Sequence, residues 1–374
     1  MRVMAWGMLL LLPVSAAEGW PLWESYAQMF LDAQGRIVEH DEKSKTTSEA
    51  QAYALFFALV ANDQPRFDKL LQWTRDNLAQ GDLGARLPSW LWGQAENGKW
   101  GVLDPNPASD ADLWIAYTLL EAGRAWSRPE LSALGERVAA MIAEREVVEL
   151  PKFGPMLLPG PMGFRPDPET FILNPSYLPI PVLTGLGRHL PGGPWSAIAQ
   201  RVPQLVASTS PRGLALDWVT YSSRGGFRPK GREGEDGRGS YDAIRVYLWA
   251  GLMDPESAGR RELLAALPGM ARILERSVLP PSEVSSDGKV LNRQAGVGFS
   301  AALIPYCLAA GHAPLANEQR SRLAAHRNPA TGLYGQPPKY YDQNLALFAV
   351  GFSELRFRFD AAGSLILRWR QNRE

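Results

Sequence analysis

Residues 50–60 read Ala50-Gln51-Ala52-Tyr53-Ala54-Leu55-Phe56-Phe57-Ala58-Leu59-Val60. A helix built on this run has no polar face, so it is buried on nearly every side. A segment such as 129–146 instead keeps a clear polar face. Apolar and amphipathic helices follow one another along the chain. Helical periodicity marks about 22–33, 48–62, 66–79, 110–126, 129–146, 177–189, 195–209, 240–252, 256–275, 298–310, 316–327 and 342–354. The alternation predicts an all-α fold in which an inner ring of helices is covered by an outer ring. Strand-like alternation is confined to short pieces, at 356–359 and 365–368. No exact repeat is visible, so the ring does not follow from self-similarity.

The N-terminus has the pattern of a processing signal. Arg2 is followed by a mostly apolar run from Met4 to Val14 and by the small residues Ser15-Ala16-Ala17. That run is too short to span a membrane. We therefore expect a signal peptide at 1–17, a mature chain at 18–374, and a periplasmic or secreted location. No later segment reads as a membrane span. No composition break divides the mature chain, so a single domain is expected. The longest connections, at 80–109, 150–176, 211–239 and 276–297, read as loops, and loops of that length are usually functional. Gly225 to Gly239 is rich in glycine and charge.

Composition excludes several classes of function. Lys plus Arg and Asp plus Glu number 39 each, with no basic block. A nucleic-acid partner is therefore not expected, and a neutral ligand fits better. The single cysteine, Cys307, lies in an apolar run and reads as a buried thiol. The four histidines are scattered and no His-Glu-x-x-His occurs, so no metal site is expected. No Gly-x-Ser-x-Gly elbow, Walker loop or complete dinucleotide fingerprint is present. No cofactor is implied. Carboxylates and aromatics remain.

Three acids sit at helix starts, in Thr46-Thr47-Ser48-Glu49, Ala108-Ser109-Asp110-Ala111-Asp112 and Ser240-Tyr241-Asp242. Each reads well as a structural cap. Thr46 and Glu49 match a capping box, and Ser109 and Ser240 are good N-caps. Two features point beyond capping. Glu49 opens a deeply apolar helix, and Asp110 lies between Trp100 and Trp114. Inner helices that start at one end of a ring would also bring the three acids together. A helix N-terminus favours the ionised form of all three. A general acid among them then needs burial or a like charge to keep its proton, and Asp110 is the candidate neighbour for Glu49.

The aromatics suit a sugar. Trp90, Trp92 and Trp100 lie together outside the helical pattern, and indole faces pack on the C–H faces of sugar rings. Trp114 and Trp126 fall in a helical pattern and read as core. Tyr177, Tyr241, Tyr340 and Tyr341 stand at loop–helix junctions and are candidates for the same cleft. Arg245 shares a helix face with Asp242, which it can orient, and it can also bond a sugar hydroxyl.

The run Ala108-Ser109-Asp110-Ala111-Asp112-Leu113-Trp114-Ile115-Ala116, continued to Ala122 and Trp126, resembles the signature of family 8 glycoside hydrolases. Thr47 to Tyr53 resembles that family's proton-donor segment, and Ser240 to Arg245 its base segment. Asn174-Pro175-Ser176-Tyr177-Leu178 is similar to another cleft segment. Thr118, Ala50 and Ala54 depart from the usual pattern.

The resemblance implies an (α/α)6 barrel, inversion of configuration and a β-1,4-glucan substrate. It implies Glu49 as general acid, Asp242 as general base, and Asp110 as the acid that binds the sugar at the cleavage point. Within the family, the likeness is to the periplasmic cellulases that accompany bacterial cellulose synthase. That implies a link to cellulose biosynthesis and the synthase complex as a possible partner. Relatives that act on xylan or chitosan, a polysaccharide lyase on a similar barrel, and a non-catalytic glucan-binding subunit remain as alternatives.

Overall fold

A computed structural model describes residues 19–231 and 237–371. The expected signal segment 1–17 lies outside the described residues, as does part of the Gly225 to Gly239 connection. In chain order the helices are α1 (Pro21–Phe30), α2 (Ser48–Val60), α3 (Gln64–Trp73), α4 (Ser109–Trp126), α5 (Pro129–Arg145), α6 (Ile180–His189) and α7 (Trp195–Thr209). They continue with α8 (Ala243–Leu252), α9 (Arg260–Ala265), α10 (Pro268–Leu274), α11 (Val297–Ala309), α12 (Ala313–Ala325), α13 (Tyr340–Ser353) and α14 (Arg368–Gln371).

The apolar runs form the inner ring of an (α/α)6 barrel. Every residue of α2 except Glu49 is buried, and so is every residue of α8. The same holds for α4 from Ser109 to Gly123 and for α11 from Val297 to Cys307. With α6 and α13 these make six inner helices. The helices between them turn one apolar stripe inward. On α5 that stripe is Leu131, Gly135, Val138 and Ile142, the spacing of a one-sided helix. Gly135 lets α5 approach α4 closely, because a Cβ there would stand 3.0 Å from the Ala116 carbonyl oxygen.

Aromatic side chains fill the middle of the ring. Trp114 of α4 lies 5.2 Å from Phe348 of α13 and 5.4 Å from Trp249 of α8, between ring centroids. Tyr53 of α2 meets Phe348 at 5.1 Å. Trp114 is fully buried, as its helical placement predicts. Trp126 is only half-buried, and its indole N–H donates to Asn62 Oδ1 at 2.9 Å.

Two sequence expectations need correction. The segment 256–275 is two helices, because Pro268 lacks an amide hydrogen and takes the first helical position of a new one. The four long connections are not plain loops. They hold β2 (Ser89–Gln94), β3 (Trp100–Pro107), β4 (Val147–Leu150), β5 (Gly154–Leu157), β6 (Thr170–Leu173), β7 (Val219–Ser222), β8 (Gly226–Arg228), β9 (Arg238–Gly239), β10 (Glu283–Ser285) and β11 (Val290–Asn292). A two-residue strand, β1 (Thr46–Thr47), precedes α2, and β12 (Phe357–Phe359) pairs with β13 (Leu365–Leu367) near the C-terminus, where strand-like alternation is visible in the sequence. All pairings are antiparallel, in five small sheets. Most of these strands are too short to show a period of two.

Candidate active site

The N-terminal ends of the inner helices meet at one end of the barrel. Glu49 stands in the first turn of α2, Asp110 in that of α4, and Asp242 immediately before α8. Ser176 and Tyr177 lie just before α6. Tyr241 packs edge-on against Phe299 of α11 at 5.3 Å and Tyr341 of α13 at 5.8 Å.

One guanidinium joins the three acids. Arg245 Nη1 donates to Glu49 Oε2, to Asp110 Oδ2 at 3.1 Å and to the Tyr53 hydroxyl at 3.1 Å. Its Nη2 donates to Asp242 Oδ1 at 2.7 Å and to Ser176 Oγ at 3.1 Å. Arg245 is 2% exposed, and its Nη1 and Nη2 donate to protein acceptors. The fixed, planar fork lets a single cation hold groups from three helices.

Three carboxylates around one cation would leave a net charge of −2 in a buried place. Retaining a proton relieves this. Burial pushes the Glu49 carboxyl up to about 8, against the pull of Arg245, and Asp110, Glu39 and Asp242 add to the rise. The carboxyl thus keeps its proton near neutrality, as a general acid requires. Its side chain retains 21% accessibility. Burial also raises Asp110, opposed by Arg245 and by the Ala111 amide, which donates to Asp110 Oδ1 at 2.8 Å. Asp242 accepts hydrogen bonds on both oxygens, the second from Asn174 Nδ2 at 3.0 Å.

The caps are not the ones the sequence suggests. Thr47, not Thr46, caps α2, accepting from the Ala50 amide at 3.2 Å. Thr46 Oγ1 accepts from Arg36 Nε and donates to the Ile37 carbonyl, and the Glu49 carboxyl faces Arg245. Ser109 makes no side-chain cap, and its buried hydroxyl has no partner among the described residues. At α8 the capping group comes from a distant connection. Asp217 accepts from the Ser240 amide at 2.7 Å, the Ser240 hydroxyl at 2.6 Å and the Ala243 amide at 2.8 Å. Asp217→Ala removes the acceptor that fixes the turn carrying Asp242. It is expected to cost about 1–2 kcal/mol and to lower kcat with little change in KM, as read by thermal unfolding and steady-state kinetics.

The candidate aromatics divide by exposure. Trp92 and Trp100 stack at 5.2 Å on the β2–β3 hairpin, with the Arg36 guanidinium 4.4 Å from Trp92 and 5.0 Å from Trp100. Trp92 also meets Trp73 edge-on and is half-buried. Trp90 is half-buried on β2. Trp100 is 46% exposed and Tyr241 54% exposed, and these offer open ring surface. Tyr177 lies under the Arg245 guanidinium, 5.6 Å from its ring centre, and against Trp218. Tyr340, expected at the substrate surface, is 3% exposed and packs edge-on against Phe30 of α1. Its neighbour Tyr341 instead reaches the site, donating to the Tyr241 carbonyl.

Asp217 and Trp218 carry no local signal that links them to the site. Glu39 is a further omission. It is buried, it accepts from the Thr47 hydroxyl at 3.0 Å, and burial lifts its carboxyl to about 7. Only a long-range fold brings it near Glu49.

A carboxyl cluster at the N-termini of inner-ring helices, with the exposed ring of Tyr241 next to Asp242, suits acid–base hydrolysis of a carbohydrate. The sequence profile of glycosyl hydrolases family 8 matches residues 1–354, and the chain belongs to that family. It is similar to the protein named endoglucanase from Xanthomonas axonopodis pv. citri, with 44% identity over 97% of this chain and 94% of that one. It is 39% identical to the endoglucanase of Escherichia coli strain K12, over 96% and 94% of the two chains. In structure it resembles the endo-1,4-D-glucanase of Vibrio fischeri, with a TM-score of 0.84 at 37% identity over 94% of this chain and 99% of the other. Among the described residues, no helix is long and apolar enough to cross a membrane.

Proposed function

We propose that this chain is an endo-acting β-1,4-glucanase that inverts the anomeric centre. The observation that carries the reading is the set of three acids held by Arg245, with burial keeping Glu49 protonated. Endo action on β-1,4-glucan is supported by the endoglucanase and endo-1,4-D-glucanase relatives that match along most of the chain. Glu49 donates its proton to the departing glycosidic oxygen. Asp242 takes a proton from the water that attacks the opposite face of the sugar. Asp110 bonds a hydroxyl of the sugar at the cleavage point. No glycosyl–enzyme bond forms in this scheme.

The separation of the two carboxyls is bounded by their shared guanidinium. Oxygens bound to its two terminal nitrogens lie less than roughly 8 Å apart. Inverting pairs stand about 6.5–9.5 Å apart and retaining pairs about 5–5.5 Å. The bound admits both, so inversion rests on the family resemblance and is open to direct test.

Hydrolysis of a soluble cellulose derivative by wild type and Glu49→Gln tests the reading. Wild type is expected to lower viscosity faster than it releases reducing ends. A wild-type protein inert on β-1,4-glucan but active on xylan or chitosan would overturn the substrate assignment. If Trp100 stacks on the glucan, Trp100→Ala raises KM roughly 3–10-fold at near-constant kcat.

The segment 1–17 supports delivery to the periplasm or outside the cell. A role beside cellulose synthesis is consistent with the likeness to periplasmic cellulases. A leaderless chain that reaches the periplasm equally well would remove the first of these.

A further inference from the structure

Two residues beyond Asp110, the Asp112 side chain is fully buried, and Glu146, the residue after α5, is fully buried with it. The two carboxyls are neighbours, and none of their four oxygens has a hydrogen-bond partner among the described residues. Two ionised carboxylates cannot bond to each other, because both are acceptors only. A bond between them requires that at least one carries a proton. Burial without a cation between them favours that state, and Asp112 and Glu146 are both held well above the usual carboxylate range for this reason.

The pair lies where three segments converge. The Ser109 amide, at the start of α4, donates to the Pro159 carbonyl at 3.0 Å. The Leu158 amide donates to the Glu146 carbonyl at 2.8 Å. A proton shared between Asp112 and Glu146 would add a link from the first turn of α4 to the end of α5. The charged groups that face the pair are Asp110 on α4 and Arg145 on α5. Were both members ionised, two more negative charges would stand beside a site that already holds three carboxyls and one cation.

We propose that Asp112 and Glu146 are positioning residues, a proton-sharing carboxyl pair that fixes the first turn of α4 and so holds Asp110 in place for the sugar. The inference rests on the reading of Asp110 as a substrate contact in glucan hydrolysis. The shared proton gives the link a strong bond while limiting the charge added near Asp110.

The test uses the full chain and three variants: Asp112→Asn, Asp112→Leu and the double variant Asp112→Asn with Glu146→Gln. Folding of the wild type takes up the pair's protons at neutral pH. Its unfolding constant therefore rises about tenfold per pH unit for each such proton, from the ordinary carboxylate range up to the raised one. The double variant keeps a hydrogen bond but cannot titrate, so its unfolding constant is expected to lose that component. In kinetics, Asp112→Leu is expected to lower kcat about 100-fold with KM within about twofold. Asp112→Asn and the double variant are expected to restore kcat to within about threefold of wild type.

Identical pH dependence of unfolding in wild type and double variant would overturn the shared proton. Equal kcat for Asp112→Leu and Asp112→Asn would overturn the positioning role. If Asp112→Leu does not fold, the unfolding comparison and the activity of the double variant still decide. A wild type that does not cleave β-1,4-glucan defeats the proposed function instead, and the unfolding comparison is unaffected by it.

Discussion

Glu49→Gln is expected to lower kcat on cellulose derivatives by about 10³, within the 10²–10⁴ range for loss of a general acid. The amide keeps the shape and can still meet Arg245, but it has no proton to give the leaving oxygen. Substrates with good leaving groups need little protonation, so the loss on an activated aryl glycoside is expected to be much smaller. Equal losses on both substrates would contradict the assignment. The pH profile gives a second check. The wild-type acid is active when protonated, so activity is lost as pH rises through about 8, the value to which burial and the neighbouring acids lift Glu49. The same shift bears on stability. A carboxyl raised in the folded state stabilises the fold fully below its unfolded pKa, and that contribution is lost as pH rises to about 8.

Arg245→Met is expected to abolish measurable hydrolysis and to destabilise the protein. The guanidinium is 2% exposed and bonds Glu49, Asp110 and Asp242 together. Removing one partner of a buried ion pair costs about 3–5 kcal/mol because the remaining charge is left uncompensated. Here three carboxyls remain, and they relieve the repulsion by taking up protons. The destabilisation is therefore expected to be larger at pH 8 than at pH 5, as read by denaturant unfolding at both. Asp242 would also lose the Arg245 bond that orients it, so activity fails even where the variant folds. Arg245→Lys is not expected to rescue it, since an ammonium cannot reproduce the fork that reaches three helices at once. Full activity in Arg245→Lys would show that only its charge matters.

The inner ring is legible in the sequence because burial on all sides leaves a continuous apolar run, as in 50–60 or 243–252. Pro268 marks a helix start, yet the amphipathic pattern on either side of it masks the break within 256–275. The hairpins in the long connections escape because strands of two to four residues show no alternation, and the longer β2–β3 pair is interrupted by glycine and proline. The three acids are legible as helix starts, and their convergence follows from a ring whose inner helices begin at one end. The caps show the limit of local reading. Thr46 and Thr47 are equivalent by composition, and only the long-range bonds of the Thr46 hydroxyl, to the Ile37 carbonyl and from Arg36, decide which one turns to the helix.

Arg245 illustrates a different limit. Its spacing from Asp242 is visible, but Glu49 is 196 residues away in sequence and Asp110 is 135 away. Those two bonds exist only in the closed barrel. Tyr340 and Tyr341 differ by one position on the first turn of α13, a rotation that sequence does not resolve. One ring packs against Phe30 and the other reaches Tyr241. Asp217 and Glu39 act through burial and through backbone or hydroxyl groups of other segments, and neither leaves a local pattern.

The division of work between Glu49 and Asp242 is tested most directly by the configuration of the first product, followed by proton NMR during the early hydrolysis of a cello-oligosaccharide. Direct attack by water activated at Asp242 delivers the α-anomer first, with the β-anomer growing in only by mutarotation. A β-anomer formed first would mean a covalent glycosyl–enzyme intermediate, and would contradict the roles assigned to both residues.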